Sequence, residues 1–507
     1  MSLHSIFITA IFTYLLACPF VSLAEPFRYG ETRAPGIIHP VYATTMSEAR
    51  INELIFEGLF TDDNELQSRP QLAESFTVSE DGRSMILNIR QDVRWHDGTP
   101  FTASDVLFSI AVYKDKLTAS PERGRVSWIA SAREMGPHSL RLTFQDTEFT
   151  PQNKLQFKII PAHRFDSASI KRTGPFRNQP IGTGPFKVLG FNPDNSVSLG
   201  RWEGHYNAPN IHEMTMREVS DPNYQSKLLI YQSLEALVRV LPKDIATLQN
   251  SRNISLYPYQ TNSWWYIGYN LQRSHYKNKS FRDAIHAFVN IDELLAPIGT
   301  GEILTGPFVK SSPFYNHDVR GTFYNPTKGA ELLQSLGYEK NGRFWRKNGE
   351  VLTIRIAALK NLATVQEVLI NLQSQFMREG ILLEPTFLNL PEWKQRIWRN
   401  QDFDMILSQW SFDRNENIYE QFHSKGTRNF TGYTNPQVDQ WLKQARQTSD
   451  PKEKRSLLRS VHQAVHNDNP MIFLWTLDSY AAISTSVQNV NIHPFYFFTW
   501  ARDWTYK

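Results

Sequence analysis

Hydrophobic positions along this chain follow two periods. In the first half they alternate with polar ones. "ESFTVSEDG" and "RSMILNIRQDVRW" predict two strands joined by a turn at Glu80-Asp81-Gly82, and "HSLRLTFQ" predicts another. "FRYGE" reads as a short early strand. "GPFKVLGFNPDNSVSLGRW" reads as a hairpin about Asn192-Pro193-Asp194-Asn195. One helix interrupts this region: in 47–60, "SEARINELIFEGLF", Ile51, Leu54, Ile55 and Leu59 recur at helical spacing. The second half changes texture. "KSFRDAIHAFVNIDELL", "NPTKGAELLQSLG", "ATVQEVLINLQSQFMREG", "NPQVDQWLKQARQ" and "PKEKRSLLRSVHQAVHND" all carry the helical period, with short strands such as "VLTIRIAAL" and "FDMILSQW" between them. "MIFLWTLDSYAAIS" then returns to strand character. The pattern predicts an α/β chain in which a long helix-rich insertion is bracketed by strand-rich segments.

At 507 residues the chain exceeds one ordinary core, so two or three packed units are expected. Net charge is only +4 and no basic run occurs, which argues against a nucleic-acid partner. Aromatic residues reach 13%, enough to furnish cores and a ligand cleft.

The first 24 residues, "MSLHSIFITAIFTYLLACPFVSLA", contain no Asp, Glu, Lys or Arg. An apolar run from Ile6 to Val21 ends in Ser22-Leu23-Ala24, a small-x-small cleavage pattern. A secretory signal is expected, with the mature chain starting near Glu25 in the periplasm. The run is shorter than the ~20 residues of a spanning helix. The sole cysteine, Cys18, lies in this segment, and Leu15-Leu16-Ala17-Cys18 resembles a lipoprotein box. Pro19 and the later cleavage site weigh against lipid anchoring there. A chain cleaved after Ala24 has no thiol, which excludes thiol catalysis and Cys-ligated metal.

"RQDVRWHDGTPFTASDVLFSI" sets His96 beside Asp97. A hydrolytic dyad is one reading, but adjacent residues are poorly placed to hydrogen-bond productively, and no serine nucleophile motif accompanies them. The residues otherwise read as the end of a strand, a turn at Asp97-Gly98, and a helix started by Thr102 with Asp105 at its third position. Gly182-x-Gly184 lacks the third glycine of a dinucleotide fingerprint, since Lys187 stands there, and reads as a tight turn between lobes. His462 and His466 lie four apart on a helix without a third ligand, so no metal and no cofactor is expected.

Several motifs in order carry a family resemblance. They are Phe56-Glu57-Gly58-Leu59, Leu72-Ala73-Glu74-Ser75-Phe76, the run Trp95 to Val106 ("WHDGTPFTASDV"), Ile181-Gly182-Thr183-Gly184-Pro185-Phe186, Phe281-Arg282-Asp283-Ala284-Ile285, Tyr324-Asn325-Pro326, and "NFTGYTNPQVD" from Asn429 to Asp439. Together they resemble the peptide-type extracytoplasmic solute-binding proteins of ABC importers, family 5, the oligopeptide, dipeptide and nickel class. The resemblance implies a two-lobed clamshell with an extra subdomain in the N-terminal lobe. Lobe I would take 27–258 and 472–507, with the subdomain at about 47–165, and lobe II would take 259–471. Crossings near Ser263 and Trp475 would form the hinge.

The resemblance also implies no catalysis. A monomer would capture a short peptide between its lobes and deliver it to an ABC permease in the inner membrane. A metal chelate, opine or oligosaccharide is the alternative cargo, and a secreted hydrolase the remoter one. In "SQWSFDRNEN", after a strand, Asp413 is the expected partner of a ligand ammonium, with Trp410 and Phe412 walling the cleft and Arg414 beside the carboxylate. Lys360 is a candidate for the ligand carboxylate. In "TNSWWYIGYNLQ", alternation favours Trp265 and Tyr269 for the cleft. Thr44, Thr45 and Met46 would meet the ligand from the early loop.

Overall fold

The computed structural model describes residues 26–260, 263–299, 301–321, 324–360, 364–411, 417–448 and 450–507. Two large mixed sheets organise them. The first runs in the order Ile254–Gln260, Trp475–Ser484, Ala236–Leu237, Phe27–Glu31, Glu213–Glu218, Val197–Arg201, Phe186–Phe191, and Gly301–Ile303 joins it on Trp475–Leu477. The second runs Leu382–Leu388, Thr353–Leu359, Met405–Ser411, Ser263–Tyr269, Met471–Phe473. A four-stranded antiparallel sheet, Ala73–Val78, Ser84–Ile89, Ser139–Phe144 and Ile129–Gly136, is built from the segment between Phe27–Glu31 and the rest of the first sheet. Each large sheet heads one lobe of a two-lobed α/β fold.

Local chemistry explains where the helices start. Asp221-Pro222, Asn325-Pro326, Asn435-Pro436 and Asp450-Pro451 each put a capping side chain before a proline at the first helical position. Asp450 accepts from the Lys452 N–H at 2.8 Å, and Asn435 from that of Gln437 at 3.0 Å. The helix Val365–Glu379 buries Val368, Leu369, Leu372 and Phe376 on one face and stops at Gly380, whose φ of 85° suits a left-handed cap. The strand Ser263–Tyr269 is buried at every residue, because helices cover both faces of the second sheet. Trp265, Ile267 and Tyr269 enter one core; Trp264 and Tyr266 enter the other.

The segment carrying His96 differs from its sequence reading. Regular pairing of Ser84–Ile89 ends at Ile89, and Arg94 makes only an isolated bridge to Pro100. His96 therefore sits in a loop, where it fastens another. Its backbone N–H donates to Gly182 O at 2.9 Å, its Nδ1 accepts from the Gly182 N–H at 3.2 Å, and its Nε2 lies 2.9 Å from Gly184 O. These partners require the neutral tautomer with the proton on Nε2.

The two glycines are not a turn between lobes. They press on the end of the helix Met46–Ile55, where the Gly184 N–H donates to Ile55 O at 2.9 Å. A Cβ on Gly182 would stand 1.7 Å from that same oxygen. Asp105, predicted as a helix-start residue, accepts from the Thr102 N–H at 2.9 Å. It is almost fully buried and also receives the Ala162 N–H at 2.8 Å, so it ties its helix to a distant loop.

Gly182→Ala is expected to cost about 3 kcal/mol or to prevent folding, since backbone rather than a flexible side chain must give way. Gly124→Ala, where a Cβ meets nothing within 4 Å, should stay within about 0.5 kcal/mol of wild type. Urea unfolding of both variants checks this.

Candidate ligand-binding site

Strand polarity locates the site. Ile254–Gln260 and Ala236–Leu237 both run antiparallel to Trp475–Ser484, and Phe27–Glu31 runs parallel to Ala236–Leu237. All three therefore end at the edge where Gln260 leaves for the second sheet. In that sheet Ser263–Tyr269 starts at the crossing. Met405–Ser411 runs antiparallel to it and so ends there, and Thr353–Leu359 and Leu382–Leu388 end there too. Both sheets thus turn carboxyl ends toward the crossing, where open α/β sheets bind ligands.

The sequence candidates divide on this frame. In the first lobe, Thr44, Thr45 and Met46 are exposed, with Met46 at 60%. Glu48 holds their backbone: its Oε2 accepts from the Thr44 and Thr45 N–H groups at 2.8 and 3.0 Å. In the second lobe, Lys360 is exposed directly after its strand, and its N–H donates to Leu388 O at 2.9 Å. Trp410 is half-buried near the end of its own strand, in register with Trp264. With the Gln421 amide oxygen turned toward it, the Trp410 indole N–H donates at 2.8 Å. Phe412, Asp413 and Arg414 lie outside the described residues.

Trp265 and Tyr269 require correction. They are 3% and 0% exposed, and the Tyr269 hydroxyl donates to Arg282 O at 3.2 Å. Alternation did divide the strand between two faces, but helices cover both, so neither face opens on the cleft. Residues missed by sequence reasoning also reach this edge. Leu390 is 50% exposed after Leu382–Leu388, and the Arg428 guanidinium lies 5.3 Å from the Trp410 ring centroid. Arg428 is eighteen residues from Trp410 and has no local signal to betray it.

Residues 67–458 match the model of the bacterial extracellular solute-binding proteins, family 5. The chain belongs to this family. It is 23% identical over 487 residues to the oligopeptide-binding protein AppA of Bacillus subtilis, covering 92% of this chain and 88% of AppA. It is 26% identical over 450 residues to the glutathione-binding protein GsiB of Escherichia coli K12, covering 84% of each. The fold matches AppA in complex with a nonapeptide at a TM-score of 0.78, with 21% identity and 95% and 99% of the two chains covered. It matches NikZ of Campylobacter jejuni with Ni(L-His) at 0.77, with 22% identity and the same coverage. Family 5 proteins are transport binding proteins, not enzymes. That agrees with the structural use of His96, and Asp97 is spent on His163 Nε2 at 2.8 Å.

Among the described residues no group of three or more His, Cys, Asp or Glu side chains could hold a metal ion, and no helix is long and apolar enough to cross a membrane. His462 and His466 serve packing. The wholly buried His462 accepts from the Asn316 N–H at 3.2 Å through Nδ1 and faces Thr305 Oγ1 at 3.0 Å through Nε2. His466 Nδ1 donates to Thr305 O at 2.8 Å. Burial lowers the pKa of His462 to about 3, as it does for His39, and that of His96 to about 4.

Each of these three is neutral when folded, whereas the unfolded chain takes up their protons below about pH 6.5. Their contribution to stability is complete above that pH and is lost as pH falls toward their folded pKa values. By pH 5 the loss should reach about 2 kcal/mol per histidine. Urea unfolding between pH 8 and 5 tests this, and His462→Gln should flatten the profile.

Proposed function

We propose that this family 5 protein captures short peptides in the periplasm and hands them to an ABC permease in the inner membrane. The carrying observation is the convergence of strand ends at the crossing. There the strand bearing Trp410 finishes at Ser411, and Asp413 follows two residues later in the chain. A carboxylate so close in the chain to that strand end would suit the ligand's α-ammonium through charge-assisted hydrogen bonds. Lys360, on the same edge, suits its carboxylate. Thr44, Thr45 and Met46 form the start of the helix Met46–Ile55, the next long element after the strand Phe27–Glu31, which ends at the matching edge of the first lobe. The names of AppA and GsiB, both peptide binders, support the cargo class.

The two lobes are taken as 27–258 with 472–507 and as 259–471, closing about the crossings near Ser263 and Trp475. Ligand that touches both lobes only when they are shut shifts the population toward the closed form. Residues 1–24 are taken as the secretion signal of a protein that acts as a monomer. A metal chelate is the second reading, favoured by the likeness to NikZ with its bound Ni(L-His).

Mass spectrometry of ligand released by denaturing protein purified from its host is expected to yield peptides, and a chelate or sugar would replace the reading. In calorimetry with di- to hexapeptides, Asp413→Ala should weaken binding by about 2–3 kcal/mol, roughly 30- to 150-fold. Unchanged affinity in that variant would remove Asp413 from the site.

A further inference from the structure

Trp410 carries more than a wall of the cleft. Its strand partner Trp264 is the second residue of the strand that enters from the crossing, so Trp410 lies one residue from the end of its strand on that edge. The Arg428 guanidinium covers the ring at 5.3 Å. A cation over an indole face is attracted by the ring quadrupole, and a guanidinium so placed can still offer paired N–H donors to a carboxylate.

The loop bearing Arg428 is tightly built. The Thr427 N–H and Oγ1 donate to Glu420 Oε2 at 2.9 and 2.8 Å, and the Arg428 N–H donates to Glu420 O at 3.0 Å. Asn429 Nδ2 donates to His423 O and Tyr433 O at 3.2 and 2.7 Å. Gly426 is required where a Cβ would stand 2.3 Å from Glu420 O. Ser424 occupies Asp439 through its N–H at 2.8 Å and its Oγ at 2.5 Å. The loop's carboxylates are thus engaged by its own donors, and among the described residues Arg428 has no ion-pair partner.

An aromatic pair begins two residues further on. Phe430 stacks on Trp398 at 5.7 Å with 6° between the planes, and Lys394 lies 5.7 Å over Trp398. An exposed arginine over a tryptophan ring, on a braced loop and with no ion-pair partner among the described residues, suits an anion that arrives with the ligand.

We propose that Arg428 is a specificity-determining residue that selects peptides bearing an acidic side chain. This rests on the peptide reading above and extends it to side-chain preference. The partner is a side-chain carboxylate; the terminal carboxylate is left to Lys360.

The test is calorimetry of the full mature protein with alanine-based tri- and pentapeptides carrying either Glu or Gln at each position in turn. Every peptide keeps its free termini, so terminal contributions cancel within a pair. At one position Glu should bind about tenfold tighter than Gln, in line with one charge-assisted contact, and added salt should narrow the gap. Arg428→Gln should bring that ratio to about one while leaving the Kd of the Gln peptide within about twofold. Arg428→Lys should retain part of the ratio, having kept the charge and lost the planar fork of donors. Equal binding of Glu and Gln peptides by wild type would overturn the inference and leave the peptide reading standing. So would a loss in Arg428→Gln that falls equally on both peptides. Binding of no peptide at all would overturn both.

Discussion

The constraint on which this architecture depends is that two links between its sheets run side by side, along neighbouring strands. Ile254–Gln260 pairs antiparallel with Trp475–Ser484 in the first sheet, and Ser263–Tyr269 pairs antiparallel with Met471–Phe473 in the second. The same two stretches of chain are therefore partners on both sides of the boundary. A strand that ends at the crossing in one sheet must be followed by one that begins there in the other. Parallel neighbours inherit that polarity, so the carboxyl ends of both sheets are brought to one mouth. Gly301–Ile303 adds a third strand beside Trp475–Leu477, where a Cβ on Gly301 would stand 2.3 Å from Thr476 O. Binding geometry follows from connectivity before any side chain is considered.

The first lobe solves a different problem, which is to hold an added sheet against the main one without a covalent tie. His96, Gly182, Gly184 and the end of Met46–Ile55 do this with backbone hydrogen bonds across segments far apart in sequence. Close approach leaves no room for a Cβ, and the imidazole offers one acceptor and one donor at the required spacing. This is why "WHDGTPFTASDV" and "IGTGPF" read so clearly as signatures yet touch no chemistry. A motif fixed by packing can be as sharply specified as one fixed by catalysis.

Much of the fold was legible because its determinants are local. Helix starts were written as Asn-Pro and Asp-Pro, the helix end at Gly380 as a glycine, and the hairpin over Phe186–Arg201 as alternation broken by Asn192 to Asn195. The site was legible only in part. Periodicity can find the strands that Lys360 follows and Trp410 nearly ends, and the helix that Thr45 caps, which is as far as those candidates are placed. Trp265 and Tyr269 failed because alternation distinguishes two faces of a strand but cannot say whether either is open, and here helices bury both. Arg428 was invisible because its meaning depends on Trp410 across a loop, a tertiary relation without spacing of its own.

Burial separates the ionisable groups that stabilise this molecule from those that can serve a ligand. Glu57 is almost fully buried and accepts from Gln71, Tyr206 and His205; Asp62 is likewise buried against His493. Such groups are held inside the fold by hydrogen bonds, which for Glu57 all go to Oε1, and a ligand would have to break those bonds to use them. Lys360 and Arg428 are exposed, and among the described residues neither has an ion-pair partner that a ligand would have to displace. At the end of the strand Met405–Ser411, exposed charge and partly covered indole coincide on braced backbone. That coincidence, rather than residue type alone, distinguishes Trp410 and Arg428 from the many aromatic and basic residues elsewhere in the chain.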